Sequence, residues 1–246
     1  MSSPSVFDHV TIRVSDRAAS ERFYELVLKT LGVEKTYSED GFVEWNDFSL
    51  SGWSPGKPVT RKLHIGFVAA SREQVDEFWR AGIDAGYESD GAPGLRPQYR
   101  EDYYGSFLLD PDGNSAEAVS HDALRAGGVV DHLWFRVDDL GEAKTFYEAV
   151  GQHAGYRLEH DSSDRAQFVG ESGSFSIVSG ARTDSFHMAF PVDDNATVEG
   201  FHAGMVELGY RDNGRPGERR KYHPGYYGAF ILDPDGHNIE LVNHNR

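Results

Sequence analysis

The sequence predicts an α+β protein built from four β-α-β-β-β modules, and two observations predict it. The first is a duplication. Asp110-Pro111-Asp112-Gly113 and Asp233-Pro234-Asp235-Gly236 lie 123 residues apart in a chain of 246, so repeats are the first thing to look for. Pairing each residue i with i+123 gives 37 identities in 123 pairs, about 30%. They include Asp8-His9 with Asp131-His132, Phe23-Tyr24-Glu25 with Phe146-Tyr147-Glu148, and Tyr103-Tyr104-Gly105 with Tyr226-Tyr227-Gly228. Two domains follow, residues 1–123 and 124–246, with a linker expected in Asp122–Gly128, "DALRAGG", which ends in two glycines.

The second observation is that each copy subdivides again. "VFDHVTIRV" (Val6–Val14) alternates like a strand. The stretch after it carries Ala19, Phe23 and Val27 at helical spacing, with Ser15 or Asp16 as N-cap. "GFVEW" and "FSLSGW" read as short strands. At Leu63 the cycle restarts with the strand "LHIGFVA". Ser71 to Gln74 then makes a capping-box pattern that opens the helix "REQVDEFWRAGIDAG". "YYGSFLLD" and "SAEAVSH" close the module around the Asp-Pro-Asp-Gly turn, an ordinary hairpin signal.

Composition narrows the function. With 39% hydrophobic and 13% aromatic residues the chain is long and apolar enough to bury a core. Its net charge of −16 repels nucleic acid and anionic membrane, so neither is an expected partner. The absence of cysteine excludes disulfides, thiolate metal sites and a cysteine nucleophile. "MSSPSVFDHV" has neither the basic start nor the apolar run of a signal peptide, so a cytoplasmic location is expected.

Strand alternation assigns faces. Val10, Ile12 and Val14 suit packing under a helix, which leaves His9, Thr11 and Arg13 on the other face. In the same way His64, His132 and His187 face away from the helices, as does Glu240 between Ile239 and Leu241, with Glu117 at the matching place. Two histidines and a carboxylate on one concave face suit Fe(II) or Mn(II), with Zn(II) or Ni(II) as alternatives, and leave coordination positions open. The repeat groups them as His9, His64 and Glu117 in one copy and His132, His187 and Glu240 in the other. Neither set would then need the other's residues. A lone inward histidine is more often a hydrogen-bonded core residue, and a duplication copies any triad with everything else.

The chain resembles the vicinal-oxygen-chelate superfamily, the glyoxalase/bleomycin-resistance/extradiol-dioxygenase family. The resemblance rests on "DHVTIRV" and "DHLWFRV", "LHIGF" and "FHMAF", and "YYGSFLLDPDGNSAE" and "YYGAFILDPDGHNIE". It implies modules paired into two cup-shaped open barrels around a divalent ion that chelates a substrate through adjacent oxygens. The ligands it implies are the same six residues. Glyoxalase I-type members add a fourth ligand on the last strand of the first module, where this chain has "FSLSGW" and "SFSIVSG". Glu44 and Gln167 lie one strand too early. This points to the three-ligand extradiol dioxygenases over glyoxalase-like lyase, isomerase or thiol-transferase chemistry. A drug-binding protein without catalysis is the alternative of a different class, and the triads count against it.

Tyr104 and Tyr227 are candidate proton donors or substrate anchors, or else rim tyrosines of a hairpin. His223, in "YHPGYYG", is a third catalytic candidate, and the first copy has Arg100 in its place. His121 and His244 follow the glutamates by four residues and read as strand-end surface groups in preference to partners of the ligands. Arg13 and Arg136 point into the cups, where they could meet an anionic substrate or form salt bridges within the barrel. The expected partner is a small molecule. The oligomeric state stays open, an internal pseudo-dimer of the tandem halves being one arrangement.

Overall fold

The computed structural model describes residues 6–245. Four modules follow in chain order. The first comprises β1 (His9–Val14), α1 (Arg17–Thr30), β2 (Tyr37–Glu39), β3 (Phe42–Trp45) and β4 (Phe48–Gly52). The second comprises β5 (His64–Val68), α2 (Arg72–Asp84), β6 (Ser89–Leu95), β7 (Tyr104–Leu109) and β8 (Ser115–Ser120). The third comprises β9 (Val130–Val137), α3 (Leu140–Ala154), β10 (Arg157–Asp161), β11 (Arg165–Val169) and β12 (Ser174–Ser179). The fourth comprises β13 (Phe186–Pro191), α4 (Asn195–Glu207), β14 (Arg211–Glu218), β15 (Tyr227–Leu232) and β16 (Asn238–Asn243). No helix among the described residues is long and apolar enough to cross a membrane.

Local sequence accounts for the element ends. Asp16 caps α1 by accepting from the Ala19 amide at 3.0 Å. Ser71 accepts from the Gln74 amide, and the Gln74 side chain reaches back to the amide of Ala70 in a variant of the capping box. The strand after each helix was not placed from the sequence: β2 and β10 are short and mostly exposed, and the other two are β6 ("SDGAPGL") and β14 ("RDNGRPGE"). Glycine and proline argue against a strand interior. Both strands lie at sheet edges and both carry register shifts, which is where such residues are tolerated.

The strands form two eight-stranded sheets with the orders β14-β15-β16-β13-β1-β4-β3-β2 and β10-β11-β12-β9-β5-β8-β7-β6. The first, here the terminal sheet, joins the first module to the fourth. The second, the central sheet, joins the second to the third. The seams are antiparallel, β1 with β13 and β5 with β9. Modules therefore do not pair in sequence order within each copy.

Apolar packing runs the other way, within each copy. Val10, Ile12 and Val14 are fully buried beneath the helices, as are Leu133, Phe135 and Val137. Phe23 of α1 stands edge-on to Tyr87 at 4.8 Å, and Phe146 of α3 to Tyr210 at the same distance. The buried Tyr24 hydroxyl donates to Asp110 of the first Asp-Pro-Asp-Gly turn, and Tyr147 donates to Asp233 of the second. Helix pairing thus stays within each copy, while the apolar core runs on between the copies, as in Phe7 against Phe175, and both sheets need both copies.

The two turns differ at one buried position. Asn114 donates to Thr60 and Asp110 and accepts from the Leu63 amide. Its counterpart is His237, whose two ring nitrogens have no hydrogen-bond partner. The ring lies 4.3 Å from Phe186, and burial pushes its pKa down to about 4. A depressed folded pKa means stability present above pH 6.5 and lost as pH falls towards 4, by up to roughly 3 kcal/mol. His237→Asn should remove that loss. Urea denaturation of both proteins at pH 7 and pH 4 measures it; parallel stability profiles would show that the ring is not the acid-sensitive group.

Candidate functional site

The seams bring the six predicted ligand residues together in two groups, but not in the groups the repeat suggested. His9, His187 and Glu240 converge on the terminal sheet, and His64, His132 and Glu117 on the central sheet, with donor atoms in each group within 4.8 Å of one another. The reason is the strand pairing. β1 lies against β13, so His9 faces the fourth module, and β5 lies against β9, so His132 faces the second. Each group draws its side chains from both copies, which corrects the expectation that neither copy's set needs the other's residues.

The distances fit a facial set of three donors. Glu117 Oε2 lies 2.9 Å from His64 Nε2 and 3.2 Å from His132 Nε2, and the two Nε2 atoms are 3.3 Å apart. In the terminal group His9 and His187 Nε2 are 3.0 Å apart, and Glu240 Oε2 is 3.1 Å from His187 and 3.8 Å from His9. Adjacent donors around an ion with bonds of about 2.1 Å would lie about 3 Å apart, so the side chains present fit a divalent metal.

Every histidine is held through its other nitrogen. His132 Nδ1 lies 2.9 Å from Asp131 and His9 Nδ1 lies 2.7 Å from Asp8. His64 Nδ1 meets Ser115 and His187 Nδ1 the Asn238 carbonyl. Such acceptors direct the Nε2 lone pair into the cup. Glu117 and Glu240 are fixed at the opposite oxygen, where Oε1 accepts from the hydroxyls of Tyr103 (2.7 Å) and Tyr226 (2.8 Å). Gly105 and Gly228 make room for these carboxylates, since a Cβ on either would stand 2.4 Å from Oε1.

Electrostatics follow from this crowding. Burial pulls the His132 pKa down, but Asp131 and Glu117 outweigh it and raise it to about 10. Burial would raise Glu117, yet hydrogen bonds to His132 and His64 bring it down to about 2. Without an ion the central group is an imidazolium–carboxylate cluster, so metal binding must release a proton. The cups also differ in burial. The His132 ring folds over Gly66, where a Cβ would lie 2.2 Å from it, whereas His9 faces Ala189. Accordingly the His132 side chain is 8% exposed and that of His9 24%.

The catalytic candidates from the sequence sit elsewhere. Tyr104 donates to Asp76 of α2 and Tyr227 to Glu199 of α4, both on the helix side of their sheets. Alternation is the cause: Phe107 pairs with Glu117 and shares its face, so Tyr104, three residues before Phe107, points away. The preceding tyrosines, Tyr103 and Tyr226, are the ones that reach the carboxylates. Counting back in twos from Phe107 and Phe230 would have found them. His223 lies at the rim, bonded to His244 at 2.8 Å, and His244 bonds Asp8 at 2.7 Å. His121 lies 3.4 Å from Asp131. Both strand-end histidines are thus partners of the groups that orient ligands, not surface ornaments.

Above the central group opens a cavity of about 970 Å³ lined by all three of its members, with Trp134, Arg136 and Arg165 among the walls. The cavity beside His187 and Arg13 measures about 490 Å³.

Two mixed sheets, each with a two-histidine, one-glutamate group that could hold a metal ion, define a tandem fold of the β-α-β-β-β kind. Residues 6–118 and 129–241 each match the Glyoxalase/Bleomycin resistance protein/Dioxygenase superfamily, and the chain belongs to that superfamily. Glyoxalase I from Zea mays is similar in fold, with 18% identity and a TM-score of 0.67 over 97% of this chain and 92% of that one. A candidate dioxygenase from Bacillus subtilis subsp. subtilis str. 168 is similar over 100% of this chain and 87% of its own, with 11% identity and a TM-score of 0.70. No curated protein matches the sequence.

Proposed function

We propose that the chain is a divalent-metal-dependent enzyme acting on a small vicinal-oxygen substrate, with extradiol-type dioxygenase chemistry in the central cup. The observation that supports it is the donor set. Two imidazole nitrogens and one carboxylate oxygen lie about 3 Å apart beneath a 970 Å³ cavity, with no fourth carboxylate beside them in the candidate groups. An Fe(II) or Mn(II) ion held there would supply Lewis acidity and a place for O₂ beside a bidentate substrate.

The chain's own groups have separable parts in this reading. His64, His132 and Glu117 hold the ion. Asp131 holds the His132 ring in the tautomer that presents Nε2. Burial and the neighbouring Glu117 push the Tyr103 hydroxyl pKa far up, so it stays protonated and keeps Glu117 turned to the histidines. Trp134 and Phe107 give the cavity flat apolar walls that exclude water from part of its surface.

Oxygen uptake by Fe(II)- or Mn(II)-loaded protein with catechol tests the proposal. Consumption of O₂ that falls in Glu117→Gln is expected. Equal turnover of a substrate without oxygen would replace the reading with lyase or isomerase chemistry. Less than about 0.2 ion per chain under saturating metal would remove the metal altogether and leave a binding protein.

A further inference from the structure

We infer that the central cup selects a planar substrate bearing a carboxylate about 7 Å from its chelating oxygens, anchored by Arg165. The inference rests on the reading just given and adds the substrate's charge and its length. β9 presents His132, Trp134 and Arg136 to the cavity in succession. Residues two apart on a strand are about 7 Å apart, so Trp134 stands one such step from the metal-binding histidine. The Arg165 guanidinium lies over the Trp134 ring, 5.1 Å from its centroid.

Arg165 is held there without a carboxylate. Among the described residues it makes no ion pair, although exposed surface arginines such as Arg157 and Arg220 do. A guanidinium stacked on an indole keeps its N–H fork available in the ring plane, which is the geometry that takes a carboxylate through two hydrogen bonds. Strand register sets Arg136 in the same row, since Arg165 pairs with Val178 and Val178 with Arg136. The cavity also takes Arg96, stacked on Phe107 at 5.3 Å. Asp90 and Glu171 line it too, but positive groups gathered in one cavity of a chain with net charge −16 still mark an anion's place.

The terminal cup serves as an internal comparison. Its matching row is Phe42, Ser51 and Arg13, and the row nearer the ligands is Glu44, Ser49 and Thr11. Phe42 stands where Arg165 would, and Thr11 where Trp134 would. Arg219 over Phe230 repeats the Arg96–Phe107 stack there, but the Arg165–Trp134 pair belongs to the central cup alone, so the two cups differ in the substrate they take.

Calorimetric titration of Zn(II)-loaded protein with 3,4-dihydroxybenzoate and with catechol tests this, because the two probes differ only by the carboxylate and zinc does not turn them over. The expected result is dihydroxybenzoate binding at least ~10-fold more tightly at one site per chain, the size of one charged, two-point contact. Arg165→Gln should cut that advantage below about 3-fold and leave catechol within about 2-fold, with Arg165→Lys between. Glu240→Gln should keep the preference, whereas Glu117→Gln should lose the tight dihydroxybenzoate site. Catechol binding without a carboxylate preference, or a preference unchanged in Arg165→Gln, overturns the inference alone. Failure of both probes to bind metal-loaded protein overturns the vicinal-oxygen reading and this one with it.

Discussion

His9→Ala is expected to lower metal loading from two ions per chain to one, and the lost ion is the one that Glu240, from the other copy, helps to hold. Removing one of three donors leaves two, and affinity should fall at least ~100-fold, beyond what loss of an orienting partner costs. Double variants carry the decisive result. His9→Ala combined with Glu240→Gln should still bind one ion, because both changes strike the terminal group. His9→Ala combined with Glu117→Gln should bind none, because each change empties a different group. Elemental analysis of metal-loaded protein measures both. The reverse pattern would mean that each copy builds its own site, contrary to the seams between β1 and β13 and between β5 and β9.

Arg125→Ala should destabilise the whole chain by about 3–5 kcal/mol, the usual result of leaving a buried charge without its partner. The segment read as the linker between the copies contains this buried arginine. Its guanidinium donates to Asp47 of the first module and to the carbonyls of Phe7 and Val130. Asp47 in turn accepts from the amides of Val129 and Val130. The pair is therefore a rivet between the copies. It also touches function, since the Arg125 amide donates to Asp131, which orients His132. Thermal unfolding of the apoprotein should drop by on the order of 10 °C. Asp47→Asn with Arg125→Met should recover part of the loss, because it removes both charges. A change of less than about 1 kcal/mol in Arg125→Ala would show that the pair is not structural.

The six candidate ligand residues were legible because their signal is local. A strand's period of two placed His9, His64, Glu117, His132, His187 and Glu240 on the concave faces, and the structure finds Glu117 and Glu240 buried among them. Helix starts were legible for the same reason, since a cap is read from three or four neighbouring residues. The tyrosines slipped by one position because "YYG" offers two candidates and only the pairing of Phe107 with Glu117 fixes the parity. β6 and β14 escaped notice because edge strands tolerate the glycine and proline that punctuate a sequence elsewhere.

Which ligands share an ion is a different kind of fact. The sequence by itself determined the duplication from a repeat of 123 residues, and the modules, the faces and the six ligand-type side chains from short-range periodicity. It could not determine partnership, because β1 has two free edges and nothing local says whether its second neighbour comes from its own copy or the other. Only the tertiary structure decided that. Helices bury their apolar stripes against the neighbouring module of the same copy, which leaves the edges of β1 and β5 unpaired. Their backbone groups then find β13 and β9 across the duplication, because an open edge within a core must be satisfied. The cups, and the pairing of histidines within them, are consequences of that choice.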